Sequence, residues 1–329
     1  GDEYKMKHLN SKTYYLLVAF IIILMFNIRY VPQAFAEGEG GFSDSSTSAA
    51  DNTTWMSSIP DNKLISELSI PGTHDSMAFH AQYIFDKKVV QTQSLPLNLQ
   101  LKSGIRYLDI RVKPNGDTFD IYHGSIYQKA SLDDVMNIAT NFLTNNPSET
   151  ILMRIKDEND KPSPRFEEIF TKYWNKYQNY FWQANTNNPR LGDIRGKIVI
   201  FQNFSSTRNF GIQYNSLDIQ DDFEKTDGNK YYAVEAQLKK ANNDTSKIYL
   251  NHFSTNGIHD FETYIRDDLT PKAQAKYINS QFWVYMQLDK FNIKHTGIIA
   301  ADFPSSGTVS NTIPSNVGLV DVIISKNIR

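Results

Sequence analysis

The chain has 329 residues, a formal net charge of -2 and no cysteine. The missing thiols exclude disulfides, thiolate nucleophiles and cysteine-based metal sites. The near-neutral balance, with no basic stripe, argues against a nucleic-acid binder and against strong overall attraction to anionic membranes.

Taken in chain order, the first feature is a targeting pattern. From Met6 the chain is basic (Lys7, His8, Lys12), then apolar from about Tyr14 to Phe26, and then reads Ala34-Phe35-Ala36. This is the layout of a secretory signal cut after Ala36, with residues 1–5 lying upstream of its natural start. Its apolar core is about a dozen residues, short of the roughly 20 that span a bilayer, so a secreted, extracellular protein is expected. Removing residues 1–36, with four Lys/Arg against two Asp/Glu, moves the charge from -2 to -4. Residues 37–53 are rich in Gly, Ser, Thr and Ala and read as a flexible linker. No second linker interrupts 54–329, so one domain of roughly 270 residues is expected, large enough for a sizeable core.

Strand character recurs at Leu64–Ile70, Ile105–Val112, Phe119–Tyr122, Ile151–Ile155, Lys197–Phe201, Ile248–Phe253 and Gly297–Phe303. Helical patterns lie between several of these. In Ser131–Leu143, Ser131 can cap the first turn with Asp134 completing a capping box, and Leu132, Val135, Met136, Ala139 and Leu143 share a face. Phe166–Phe181 and Ala233–Ala241 are two more. Strands alternating with helices predict parallel pairing.

Two of the strands carry charge on one face. Alternation sets Asp109 and Arg111 together, and likewise Arg154, Lys156 and Glu158, opposite the apolar residues of their strands. Inward charges are costly unless they pair or hold a ligand. Their place toward the C-terminal ends of the strands suggests the mouth of a βα barrel. A doubly wound open sheet fits the same alternation and stays open at this point.

The chemistry centres on two histidines. His74 follows a strand and the turn pair Pro71-Gly72, and His123 ends the run Asp120-Ile121-Tyr122 before Gly124. Each alone reads as readily as a loop residue bonded to its neighbours. Together with nearby carboxylates and the same-face Arg111, they form equipment for acid-base attack on a phosphodiester. Asp302 ends the last strand, and a closed barrel would bring that strand beside the first, so that Asp302 could orient His74. His80, His259 and His295 read as ordinary residues, and His252 as a group that could line the rim. No metal-ligand spacing, phosphate-cradling glycine loop or Gly-x-Ser-x-Gly elbow is present.

The chain resembles the secreted bacterial phosphatidylinositol-specific phospholipases C. The matching blocks run in order from Ser69-Ile70-Pro71-Gly72-Thr73-His74-Asp75-Ser76 through Gly104–Arg111, Tyr122-His123-Gly124, Asn146–Ile151, Leu191–Ile198 and Gln220-Asp221-Asp222 to the Asp302 strand. The resemblance implies an α/β fold, a single-domain irregular (βα) TIM-type barrel with its active site at the C-terminal ends of the strands. It implies a cofactor-free, metal-independent reaction in which the inositol 2-hydroxyl attacks phosphorus, diacylglycerol leaves, and water later opens the 1,2-cyclic phosphate. His74 would be the base supported by Asp302, His123 the acid working with Asp75, Arg111 the phosphate ligand and Asp109 its orienter. Lys156, Glu158, Arg195 and Asp221 would bind inositol hydroxyls.

Phe223 stands where the family usually has a tyrosine stacked on the ring, so the stacking surface is kept and a phenolic hydrogen bond lost. Some relatives insert a tryptophan into membranes after the first motif, whereas here the stretch reads Asp86-Lys87-Lys88-Val89-Val90-Gln91. Its lysines could meet anionic headgroups, or it could be a plain amphipathic helix. The implied partner is phosphatidylinositol in a membrane, unsubstituted by further phosphates, with a monomer acting at the surface. The competing readings are a metal-dependent glycerophosphodiesterase on a similar barrel, disfavoured by Arg111 beside Asp109, and a non-catalytic inositol-lipid-binding module.

Overall fold

A computed structural model describes residues 39–47, 50–81, 87–307 and 317–328. The expected signal segment, residues 1–36, lies outside the described residues. Residues 38–329 form one compact unit.

Among the described residues the sheet has ten strands, eight of them on a parallel path in the order β7-β6-β5-β2-β1-β10-β9-β8. Those on the path are β1 (Ile70–Thr73), β2 (Tyr107–Asn115), β5 (Ile151–Asp157), β6 (Ile198–Asn203), β7 (Ile212–Gln213), β8 (Asp218–Gln220), β9 (Tyr249–His252) and β10 (Ile298–Ala301). Neighbouring strands pair in parallel throughout. The path is that of a barrel left open between β7 and β8. Parallel β1–β10 pairing, Thr73 beside Ala301, sets the end of the last strand against the end of the first, as barrel closure requires and as the doubly wound alternative does not.

Close approach of β2 on the other side of β1 depends on one glycine. A Cβ on Gly72 would lie 2.7 Å from the Tyr107 side chain of β2, so only glycine admits the neighbouring strand at this spacing.

The expected strand from Leu64 begins late. Ile65–Glu67 is a 3₁₀ turn, because the Glu67 carboxylate takes the Leu64 N–H at 2.8 Å and closes the chain on itself. Asn327 then satisfies both the N–H and the carbonyl of Ser69 at 2.8 Å, leaving Ile70 as the first ladder residue.

β2 overshoots the barrel, and the chain folds back as β3 (Thr118–His123), antiparallel to β2, and then as β4 (Ile126–Ser131). Val112 faces Ile121 at the end of the β2–β3 ladder, and His123 follows two residues beyond, paired with Ile126 of β4. His123 therefore reaches the barrel mouth from an outer hairpin, not from a barrel strand. After β4, Ser131 caps the helix α3 (Leu132–Asn145) with the capping box to Asp134.

Outside the sheet, α4 (Phe166–Lys176) lays Phe170 and Trp174 on Phe204, Phe210 and Phe181, with ring centroids 4.8–5.3 Å apart in the closest pairs. The helices α6 (Asp227–Asn243) and α8 (Pro271–Tyr285) cover β9 and β10. The expected flexible linker over 37–53 is corrected for its described part. Ser43 N–H donates to the Phe303 carbonyl at 3.0 Å, Phe42 bridges Pro304, and Asn52 bonds the Lys102 and Ser103 carbonyls and Asp321. Small residues are used there because the strap lies directly on neighbours: a Cβ on Gly41 would meet the Asn279 carbonyl oxygen at 2.2 Å.

Candidate active site

The turn after β1 is built to project two side chains. Asp75 adopts φ 41°, a left-handed conformation uncommon outside glycine, and its N–H is held by Asp109 Oδ2 at 3.2 Å. The Gln93 amide donates to the carbonyls of both His74 and Ala301, at 2.8 and 3.0 Å. Strained backbone persists only where its surroundings over-determine it.

His74 lies between an acid and a guanidinium. Its Nδ1 is 2.8 Å from Asp302 Oδ1, and its Nε2 is 2.8 Å from Arg111 Nη2. Arginine can only donate, so Nε2 carries the lone pair and Nδ1–H donates to Asp302. Burial, and then the Arg111 charge, hold the His74 imidazole well below its ordinary value and so neutral. Burial and then the Asp75 carboxylate push Asp302 well above the usual carboxylate range. The result is an oriented base with an acceptor behind it and its lone pair facing the mouth.

Asp109 and Arg111 share the face the alternation assigns them, beside Arg154 and Lys156 of β5 in the ladder. Arg111 Nη2 donates to Asp109 Oδ2 at 2.9 Å, and its Nη1 lies 3.1 Å from Asp75 and 3.6 Å from Glu158. Burial would raise Asp109, yet Arg111 and Arg154 outweigh it and hold its carboxyl well below the usual range. Opposite His74, the His123 Nδ1 donates to the Val90 carbonyl at 2.8 Å, leaving Nε2 3.4 Å from Asp75 Oδ2.

His74, Asp302, Arg111 and His123 line a cavity of ≈ 350 Å³ together with Lys156, Glu158, Asp221 and Phe223. Lys156 pairs with Glu158 at 2.6 Å, and Glu158 also accepts the Gly124 N–H at 2.9 Å. Burial pushes Asp221 up, but His252 and Arg154 pull it below its ordinary value. Phe223 is 54% exposed, an aromatic face on the rim. The arrangement can bind an anion at Arg111, move protons at two imidazoles, and hold a polyhydroxylated group with paired donors and acceptors.

One expected residue is elsewhere. Arg195 precedes β6, at the opposite end of the barrel, and bonds Asp61 at 2.6 Å and the carbonyls of Met56 and Ile59 at 3.1 and 2.6 Å. A residue ahead of a strand's N-terminus cannot reach the C-terminal mouth. His252 is not on the rim but fully buried, edge-on to His74 with ring centroids 5.8 Å apart. Its Nε2 meets the Tyr214 hydroxyl at 3.1 Å, and burial depresses its pKa to about 4. His80 and His259 are exposed, and His295 is buried between the Ala241 and Leu68 carbonyls.

Sequence reasoning passed over Arg154 as a site residue although its alternation placed it on the right face. Asn203 and Tyr214 bind it and carried no signal of their own. Among the described residues no cluster of three or more His, Asp or Glu side chains is arranged to hold a metal ion.

A parallel barrel with an imidazole pair and an arginine at its mouth defines a phosphodiester-cleaving class, and residues 68–204 match the family described as phosphatidylinositol-specific phospholipase C, X domain. The 1-phosphatidylinositol phosphodiesterase of Listeria monocytogenes (serovar 1/2a) is 35% identical over 283 residues, covering 80% of this chain and 84% of that protein. The enzyme of the same name from Staphylococcus aureus (strain Newman) is 31% identical, covering 71% and 87%. The solved phosphatidylinositol-specific phospholipase C from Listeria monocytogenes superposes with a TM-score of 0.69 at 31% identity, covering 83% of this chain and 98% of that structure. The chain belongs to the bacterial phosphatidylinositol-specific phospholipases C, and it is an enzyme of that activity.

Proposed function

We propose that this phospholipase works in two steps without a metal ion, releasing diacylglycerol and inositol 1,2-cyclic phosphate and then slowly forming inositol 1-phosphate. In the first step His74 Nε2 takes the proton of the inositol 2-hydroxyl as that oxygen bonds to phosphorus. The bond from phosphorus to the glycerol oxygen breaks, and His123 Nε2–H protonates the departing oxygen. Arg111 turns from His74 to the phosphate oxygens and stabilises their developing charge. In the second step the roles reverse: His123 takes a proton from water as the water oxygen bonds to phosphorus, the bond from phosphorus to the inositol 2-oxygen breaks, and His74 returns its proton to that oxygen.

The observation that carries this reading is His74 fixed between Asp302 and Arg111, with the lone pair on the nitrogen that faces the cavity. Asp109 already has both oxygens on guanidinium groups, which supports arginine in the place a cation would otherwise fill. Lys156, Glu158 and Asp221 suit ring hydroxyls, and Phe223 offers a face to stack on the ring. The carboxylates on this wall disfavour rings bearing further phosphates.

The same reading places a secreted monomer on its substrate membrane. Helix α7 (Phe261–Tyr264) and Ile265 leave Phe261 79% and Ile265 65% exposed. This patch stands beside α1 (Lys87–Val90), whose Lys88 is tied to the Tyr264 carbonyl and to Asp267 and whose Val89 lines the cavity. Lys88 is therefore engaged within the protein, and the apolar pair is the better candidate for the lipid contact.

Replacing His74 or His123 with alanine should each lower kcat on phosphatidylinositol by roughly 10²- to 10⁴-fold, since general acid-base groups commonly contribute that much. A His74→Ala enzyme with parental activity would refute the assignment.

A further inference from the structure

A second guanidinium lines the cavity and is held by three protein side chains. Arg154 is 5% exposed. Its Nη1 donates to Asp109 Oδ1 at 3.2 Å, and its Nε and Nη2 both donate to Asn203 Oδ1, at 3.0 and 2.7 Å. The Tyr214 ring covers the guanidinium at 4.0 Å, and its hydroxyl is tied to His252.

Asp109 is the hub between the two arginines. Its Oδ1 takes Arg154, while its Oδ2 takes Arg111 Nη2 at 2.9 Å and the Asp75 N–H at 3.2 Å. At 1% exposure Asp109 has almost no access to solvent, so the carboxylate plane is set by its protein partners. Burying a charge on β5 is costly where an apolar residue would serve stability as well. Held on Asp109 Oδ1, that charge fixes the direction of the carboxylate.

We infer that Arg154 is a positioning residue for the reaction: through Asp109 it fixes the direction in which Arg111 meets the substrate phosphate. This rests on Arg111 being the phosphate ligand. The backbone supports it, because Asp109 and Arg154 are side-by-side partners in the β2–β5 ladder, and Arg111 stands two residues further along the same face.

The test uses the purified full-length enzyme on phosphatidylinositol in mixed micelles, with Arg154→Met, Arg154→Lys and Asn203→Ala, each alone and combined with Arg111→Ala. Arg154→Met should lose roughly 10- to 100-fold in kcat with KM changed by less than about threefold, because a misdirected guanidinium is felt chiefly in the transition state. Arg154→Lys should recover part of the loss, and Asn203→Ala, which frees one side of the fork but keeps the charge, should lose less in the same direction. In the Arg111→Ala background Arg154→Met should cost less than about threefold, since the group it acts through is gone.

The inference is overturned if Arg154→Met costs its full factor without Arg111, if it raises KM at unchanged kcat, or if it is as active as the parent. An Arg111→Ala enzyme with undiminished activity would instead refute Arg111 as the phosphate ligand and remove the premise. Should Arg154→Met fail to fold by circular dichroism, the Asn203→Ala and Arg111→Ala cycle decides, coupling supporting the inference and additivity overturning it.

Discussion

At the scale of single residues, the site is an exercise in spending charge where it is needed. Arg111 pairs with Asp109 and Asp75 and still reaches His74 Nε2, so its positive charge adds to burial in keeping that imidazole unprotonated until substrate arrives. The sign of the resulting pH dependence follows. A base must be neutral to accept a proton, and His74 is held well below the ordinary histidine value of 6.5 by burial and by Arg111. The acid limb of kcat/KM should therefore lie below pH 6.5, and a limb centred at or above that value in steady-state assays would contradict the environment described for His74.

At the scale of elements, what the sequence disclosed depended on whether an element has two distinguishable faces. β2 and β5 alternate apolar and charged residues, so the face that Asp109, Arg111, Arg154 and Lys156 share is legible in the sequence, although the role of Arg154 is not. α3 announced itself through the Ser131 cap and a one-sided apolar stripe. α8 did not, because Gln274, Ala275, Ile278, Asn279, Ser280, Gln281, Phe282 and Trp283 are buried on nearly every side of it, and a helix buried all round has no amphipathic period. β4 hid for another reason: among the described residues it pairs only with β3, and its mostly exposed or half-buried residues show no alternation. His123 was found by its motif, while the route by which it reaches the mouth was not.

Arg195 is instructive at this scale, since a matching block carries a residue over without saying which end of a strand it occupies. Its bonds to Asp61 and to backbone carbonyls tie the segment before β6 to the 54–61 segment. Arg195→Met should lower stability by about 1–3 kcal/mol, the usual cost of orphaning buried hydrogen-bond partners, and leave kcat/KM unchanged. Thermal melting with parallel kinetics checks both halves, and a selective rise in KM at unchanged melting temperature would return Arg195 to the substrate site.

At the scale of the whole molecule, the fold solves one topological problem. A base on the first strand needs an orienting acid, and the parallel β1–β10 seam delivers Asp302 from the last strand to His74 across 228 positions of sequence. That adjacency was legible once barrel closure was assumed, because closing the sheet leaves the last strand nowhere else to go. The strap over the described part of 37–53 was not legible, since Gly and Ser read as linker composition unless the surface they lie on is known. Its contacts with Phe303, Pro304 and Ser305 lie immediately after Asp302, so the chain ahead of the barrel braces the seam that assembles the site.

The central claim is that two imidazoles of unequal role carry cyclisation and then hydrolysis, with arginine in place of a metal. It is tested most directly by following the phosphorus products over time by ³¹P NMR, with phosphatidylinositol in micelles and a chelator present throughout. The account predicts that inositol 1,2-cyclic phosphate accumulates first and inositol 1-phosphate follows, at the same rates with and without the chelator. Inositol 1-phosphate as the sole product from the outset, or arrest by the chelator and recovery on adding calcium, would contradict it.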